Sequence, residues 1–153
     1  MNLKLKTKNL QLGQSLFEVV LALGVITAIT IGIVSLAASS IRNAGFSKNK
    51  TLAGRYVEEA TEWLRSERDT NFSAFEANII TSIWCLSGLD WTKVGVCGES
   101  DNIPDTSLFR NVTFSSLPSG NTIIRANVRV YWTDGQGDHE VSSITSFTDW
   151  RQR

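Results

Sequence analysis

The chain has 153 residues, which is enough for one modest domain with an anchoring segment but excludes two full domains. Its 15 basic and 15 acidic residues give a formal net charge of zero, so overall charge gives no support for nucleic-acid binding. The charge is unevenly distributed. Lys4, Lys6 and Lys8 stand without any acid in the first 13 residues, a basic start that keeps the front of a membrane segment on the cytoplasmic side.

An uncharged apolar run extends from Val19 to Ile41. As a helix it would be roughly 35 Å long, at about 1.5 Å per residue, and a hydrocarbon core is about 30 Å thick. The competing interpretation is a secretory signal peptide, whose apolar region has about 7–15 residues and ends at a small-residue cleavage site. Ala37–Ser39 offers such a site, but the run is longer than that, and we predict a transmembrane helix.

An acidic residue, Glu18, precedes the apolar run directly. An ionised carboxylate within a membrane costs about 2.5–3.5 kcal/mol even on permissive scales, so Glu18 needs either solvation at the headgroup level or a cationic partner. Cleavage after Gly13 would give Gln14 a free α-amino group one helical turn before Glu18, on the same face. In an assembly of packed helices, the same carboxylate would instead meet the amino group of a neighbouring subunit.

The lysine-rich start, Gly13 and the following QSLFEVVLALGVITAI resemble the processing site of type IV prepilins and of type II secretion pseudopilins. The resemblance implies that a prepilin peptidase cuts between Gly13 and Gln14 and methylates the new N-terminus. It also implies that Glu18, fifth in the mature chain, is the glutamate that the family uses for assembly. The family commonly has Phe where this chain has Gln14, and often a proline in the apolar helix, whereas the first proline here is Pro104. The chain is most similar to a minor pilin.

The helix is predicted to continue beyond the membrane, because residues 42–68 contain no proline and their apolar residues recur at spacings of three and four. We expect a helix from Ser15 to Arg68, ended by Asp69–Asn71. Glycine weakens a helix by about 1 kcal/mol relative to alanine, so a bend or a melted turn is expected near Ala44–Gly45. The apolar residues of the amphipathic stripe are Leu52, Ala53, Tyr56, Val57, Ala60, Trp63 and Leu64.

The remaining chain is predicted to form a small antiparallel sheet. Residues 123–133 alternate between apolar and polar side chains, and residues 139–147 are the expected returning strand after a five-residue turn. Residues 108–114 are a third strand, followed by a turn at Pro118–Gly120. The predicted fold class is α+β, with a long N-terminal helix packed on an antiparallel sheet in the manner of a type IV pilin. The predicted divisions are a leader (1–13), a transmembrane or filament-core helix (14–41), an amphipathic helix (42–69) and a globular head (70–153).

Cys85 and Cys97, the two cysteines of the chain, lie in a stretch rich in Gly, Ser and Asp. If the head faces the cell exterior, its compartment permits a disulfide, which would stabilise the fold by about 3 kcal/mol in the chain-entropy account. Two free thiols are the alternative. A metal site is a further alternative, although His139, the single histidine, is distant in sequence.

The sequence predicts no catalytic residue, metal site or cofactor. No serine or cysteine context suggests a triad with His139, which we expect to be an exposed strand residue. Asp134, Asp138 and Glu140 have ligand types that suit Ca²⁺, but their spacing lacks the full ligand series, so a solvated turn is expected. Four tryptophans have two interpretations, as core residues or as a binding surface at the tip: Trp84, Trp91, Trp132 and Trp150.

The resemblance implies a structural minor subunit of an extracellular type IV pilus rather than an enzyme. Its expected partners are other pilin subunits, a prepilin peptidase, an inner-membrane assembly platform and, before assembly, membrane lipid. Its expected location is the cytoplasmic membrane, with an external head, and then the pilus. Two alternatives stay open. One is a pseudopilin of a type II secretion system or a competence filament, with a periplasmic location. The other is a single-pass membrane protein whose outer domain binds a ligand and never assembles.

Overall fold

The computed structural model of the chain describes residues 14–117 and 123–149. The predicted leader, the predicted turn at Pro118–Gly120 and Trp150 lie outside the described residues. The chain divides into two compact units, a first unit of Met1–Phe46 and a second unit of Ser47–Arg153. The described elements are, in chain order, α1 (Gln14–Thr70), α2 (Phe72–Ile79), β1 (Ile83–Cys85), β2 (Lys93–Val94), β3 (Phe109–Leu117), β4 (Ile123–Asp134) and β5 (Gly137–Phe147).

The long N-terminal helix is present as α1, which has 57 residues. It continues as helix through Ala44 and Gly45, so the melted turn expected there is wrong. A glycine costs only about 1 kcal/mol, and cooperative helix formation on both sides offsets this cost.

The predicted helix end at Asp69–Asn71 is followed directly by a second helix, α2. The side chain of Asn71 accepts a hydrogen bond from the backbone N–H of Ala74 at 3.1 Å and caps α2, a helix that the sequence prediction lacks.

The second unit contains a five-stranded antiparallel sheet in the order β2-β1-β3-β4-β5. Its three long strands confirm the predicted strands, since β3, β4 and β5 cover most of residues 108–114, 123–133 and 139–147. The hairpin turn is shorter than predicted. Asp134 pairs with Gly137 across a loop of two residues, because both strands extend beyond their apolar alternation. The short strands β1 and β2, which the sequence prediction lacks, extend the sheet beyond β3, and β2 is its edge strand on that side.

The core of the second unit lies between the sheet and the part of α1 that belongs to this unit. Ala53, Val57, Ala60 and Leu64 of α1 are 0–3% exposed, which confirms four members of the predicted apolar stripe. Their spacing of three and four residues places them on one helical face. The inward side chains of the sheet that complete this core include Val112, Phe114, Ala126, Val128, Val130, Trp132 and Phe147. The fold is therefore α+β, with a long N-terminal helix on an antiparallel sheet.

Candidate functional site

The predicted processing and assembly residues lie at the start of α1. Gln14 is the first residue of this helix, and Glu18 follows one turn later with an exposed side chain. Gly13 lies outside the described residues, so cleavage between Gly13 and Gln14 stays a prediction. Residues four apart lie on one face of a helix, so an amino terminus at Gln14 would be a neighbour of the Glu18 carboxylate.

Within its described residues, 14–46, the first unit presents an apolar surface that other described residues leave exposed. Its large apolar side chains between Leu16 and Ile41 are 51–74% exposed. One 18-residue window of the helix Leu16–Thr70 has a mean hydropathy of 2.6, and none of that window is buried. By length and composition, α1 is the one helix among the described residues that is apolar enough to cross a membrane. Burial in lipid or against other helices would remove this surface from water.

Hydroxyl groups in the apolar run bond within the helix itself. Thr27 Oγ1 donates a hydrogen bond to the carbonyl of Leu23 at 2.7 Å, and Thr30 Oγ1 donates one to the carbonyl of Ile26 at 2.8 Å. These groups therefore need no external partner in an apolar environment. A Cβ atom placed at Gly24 or Gly32 would meet no heavy atom within 4 Å, so both positions are open to the close approach of another helix.

Cys85 and Cys97 form a disulfide, with Cα atoms 4.9 Å apart. Of the three alternatives that the sequence left open, the structure contains this one. The bond joins the end of β1 to the segment after β2 and closes the loop 86–96. The short β1–β2 pairing and a hydrogen bond from the backbone N–H of Gly95 to the carbonyl of Ile83 also hold the ends of this loop. The disulfide adds a covalent constraint to this pairing.

The disulfide-closed loop places Trp91 against α1. The indole ring of Trp91 lies 4.7 Å from that of Trp63 and 5.3 Å from that of Trp84, measured between centroids. Its Nε1 donates a hydrogen bond to Glu67 at 2.8 Å. Trp84 and Trp132 are 7% and 2% exposed, so these two residues belong to the core. Trp91 is half-buried and fastens the loop to the helix.

We expect replacement of Cys85 and Cys97 by serine to lower the free energy of unfolding by about 3 kcal/mol, because the open loop gains conformational entropy when the chain unfolds. The Trp91 ring should also lose its fixed place beside Trp63. Denaturant unfolding followed by tryptophan fluorescence measures both effects in the full chain in detergent. Reductant should destabilise the natural chain and leave the double variant unchanged. Equal stability of the two chains under oxidising conditions would contradict the prediction.

Arg110 is a buried charged residue that the sequence analysis missed. Its side chain is 2% exposed and lies on the inner face of β3. Nε donates to the carbonyl of Leu86 at 2.9 Å, while Nη1 donates to the carbonyl of Tyr56 at 3.1 Å and to Glu59 Oε2 at 2.8 Å. One guanidinium group therefore joins α1, β3 and the start of the disulfide loop. The alternation of Leu108, Arg110, Val112 and Phe114 would have placed Arg110 inward.

The acidic residues of the β4–β5 hairpin bond to separate partners. Asp138 accepts a hydrogen bond from Thr133 at 2.6 Å, Glu140 pairs with Arg129, and Asp134 contacts the Nε2 atom of His139 at 3.0 Å. The backbone N–H of Gln136 and, to a smaller extent, His139 hold the pKa of Asp134 below its ordinary value. Across residues 14–117 and 123–149, no three metal-ligating groups lie together.

His139 differs from the exposed strand residue that we expected. Its ring lies 5.3 Å from that of Trp132 on the inner face of the hairpin, and its side chain is only 20% exposed. The short turn explains the difference, because it brings residue 139 opposite Trp132 in the strand register. His139 thus supports the hairpin.

Comparison with protein families, with curated proteins and with solved structures finds no match to this chain.

Proposed function

We propose that this chain is a subunit of a type IV pilus, made with a leader that is removed after Gly13 and assembled through α1. The observation that carries the proposal is the exposed apolar surface of the first unit with Glu18 at its beginning. A membrane accounts for the apolar surface, but it offers the acid at the head of the run only solvation at the headgroup level and no cationic partner. Assembly accounts for both, because packed helices replace lipid while an adjacent amino terminus supplies a cation.

Within this function, we assign the chain to the minor subunits. Gln14 in place of the common Phe and the absence of a proline from α1 support this choice. The partners are then neighbouring pilin subunits, a prepilin peptidase and an inner-membrane assembly platform. The second unit is the external part, a location that suits a chain whose Cys85–Cys97 bond needs an oxidising compartment.

The mature N-terminus tests the proposal. Mass analysis of the chain from cells and from sheared filaments should give a protein that begins at Gln14 and carries one methyl group. The variant Gly13→Ala should keep its leader, because the peptidase loses the residue after which it cuts. Gly24→Ala is the matched control, since a Cβ atom at Gly24 meets open space, and it should be processed normally.

Two results would contradict the proposal. A mature chain that begins after Ser39 would show an ordinary signal peptide, and a chain that keeps its lysines would show an unprocessed anchor. Fractionation distinguishes the functions that share the processing step. Recovery with sheared extracellular filaments supports a pilus subunit, whereas a processed chain confined to the periplasm identifies a pseudopilin.

A further inference from the structure

Three triplets in this chain match the acceptor signal for N-linked glycosylation. In this signal a serine or threonine stands two residues after an asparagine, and the residue between them is not proline. The triplets are residues 49–51, 71–73 and 111–113. A triplet of this kind acts as an acceptor when it lies on an accessible surface segment. The exposure and the bonding of their side chains therefore distinguish the three.

Two of the triplets lie within regular structure that restricts access to them. Asn111 is 4% exposed and lies in β3, which is paired with β1 on one side and with β4 on the other. Asn49 is half-buried in the interior of α1. The hydroxyl of its triplet is also occupied, because Thr51 Oγ1 donates a hydrogen bond to the carbonyl of Ser47 at 2.9 Å. Neither triplet is a suitable acceptor in the folded chain.

The third triplet lies at the junction of two helices. Helix α1 ends at Thr70 and α2 begins at Phe72, so Asn71 stands between them, with an extended backbone at φ −154° and ψ 98°. The side chains of Asn71 and Ser73 are both exposed. Within the part of the chain that the structure describes, the Ser73 hydroxyl makes no hydrogen bond. Both groups that define the signal are therefore open to an enzyme.

The two polar atoms of the Asn71 side chain have separate roles. Oδ1 accepts a hydrogen bond from the backbone N–H of Ala74 at 3.1 Å and so caps α2. Nδ2 has no hydrogen-bond partner among the described residues. N-linked glycosylation uses Nδ2 and leaves Oδ1 as an amide oxygen that can still accept a hydrogen bond. The cap of α2 and a saccharide on Asn71 are therefore compatible.

We propose that Asn71 is an N-glycosylation site. The donor is a saccharide whose anomeric carbon is bound to a lipid pyrophosphate. Nδ2 forms a bond to the anomeric carbon, the bond from that carbon to the pyrophosphate oxygen breaks, and Nδ2 loses one proton to the transferring enzyme. The pyrophosphate leaves with the bonding electron pair, so no oxidant or reductant is needed.

This inference rests on one part of the proposed function, the location of the second unit outside the cytoplasm. N-linked acceptors belong to the surfaces of exported proteins. The Cys85–Cys97 disulfide supports the same location independently, because it needs an oxidising compartment. The inference uses neither Glu18 nor assembly, so it is tested on the chain in membranes, before any filament is isolated.

The test is the mass of one peptide from the full-length chain, purified from the membranes of the cells that make it. After reduction and alkylation of the disulfide, cleavage by trypsin after Arg68 and Lys93 releases residues 69–93, in which Asn71 is the only asparagine of a matching triplet. We expect this peptide to carry the mass of a saccharide, and its fragmentation should place that mass on Asn71. The peptide of residues 111–125, which contains the buried triplet, should have its unmodified mass.

Asn71→Asp is the sharpest variant, because aspartate caps a helix as well as asparagine does but has no Nδ2 atom. It should lose the saccharide and keep the fold, as followed by tryptophan fluorescence during denaturant unfolding. Ser73→Ala should also lose the saccharide, whereas Ser73→Thr should keep it, since the signal accepts either hydroxyl residue. Thr51→Ala is the matched control for the triplet in α1, and it should leave the mass of residues 69–93 unchanged.

An unmodified 69–93 peptide from the natural chain would overturn the proposal. A saccharide that persists in Ser73→Ala, or one located on a hydroxyl group, would also overturn it. The N-terminal residue of the same sample separates this inference from the pilus function. A chain that begins at Gln14 without a saccharide contradicts only the glycosylation, and a saccharide on a chain that keeps its leader contradicts only the pilus.

Discussion

Replacing Arg110 with alanine is expected to lower the free energy of unfolding by about 3 kcal/mol, since one buried and one half-buried carbonyl lose a charged donor and such bonds contribute about 1.5–3 kcal/mol each. The carbonyls belong to Leu86 and Tyr56, which the guanidinium reaches at 2.9 and 3.1 Å. The carboxylate of Glu59 is 50% exposed, so it returns to water when Arg110 is lost and adds little to the cost. We expect the loss to come mainly from the separation of α1 from the disulfide loop.

Arg129→Ala is the matched control for this prediction. Arg129 also lies on the sheet and pairs with a glutamate, Glu140, but the two side chains are 45% and 53% exposed. An exposed pair contributes about 0–1 kcal/mol, so this variant should unfold close to the natural chain. Tryptophan fluorescence during denaturant unfolding of the full chain in detergent measures both. An equal loss of stability in the two variants would contradict the special role of the buried guanidinium.

The variant Glu18→Ala is expected to insert into the membrane normally and to be strongly depleted from filaments. Removing the acid relieves the membrane of a group that costs about 2.5–3.5 kcal/mol to bury, so insertion should not suffer. In the assembled state the variant lacks a charge-assisted bond, which contributes about 1.5–3 kcal/mol. We therefore expect incorporation to fall by on the order of 10- to 100-fold. Immunoblots of membrane and sheared-filament fractions measure both quantities.

Glu58→Ala controls for the loss of an acid elsewhere on the same helix. Glu58 is exposed in the part of α1 that belongs to the second unit, and its removal should leave incorporation unchanged. Equal amounts of the Glu18→Ala chain and the natural chain in filaments would show that the carboxylate has no part in assembly. A chain absent from the membrane would show that Glu18 acts earlier, in insertion.

Elements with a long regular pattern are predictable from this sequence. Strand β4 alternates through ten residues, and Ile124, Ala126 and Val128 are all at most 1% exposed. The apolar stripe of α1 is similarly regular, because each buried residue repeats the helical period. Strands of two or three residues, such as β1 and β2, are too short for periodicity to predict them. Strands β1 and β2 exist because β3 pairs with β1 and the Cys85–Cys97 bond closes the loop between them, which are non-local causes.

Two local signals in the sequence indicate features that the prediction lacks. Asn71 is a strong helix-capping residue, and Phe72, Phe75 and Ile79 follow it at helical spacing, which favours a second helix after the end of the first. Arg110 stands at an inward position of β3, where a charge requires a partner. Half-exposed Glu59 is that partner, 51 residues earlier, and only the packing of α1 on the sheet brings the two together.

The inward-bonded hydroxyls of Thr27 and Thr30 have a mechanical consequence for any bundle built from this helix. With those hydroxyls committed to their own carbonyls, the run offers its neighbours mainly nonpolar contact, which has no preferred direction. Sliding between two such helices would therefore break no hydrogen bond made by Thr27 or Thr30, because both bonds stay within one helix.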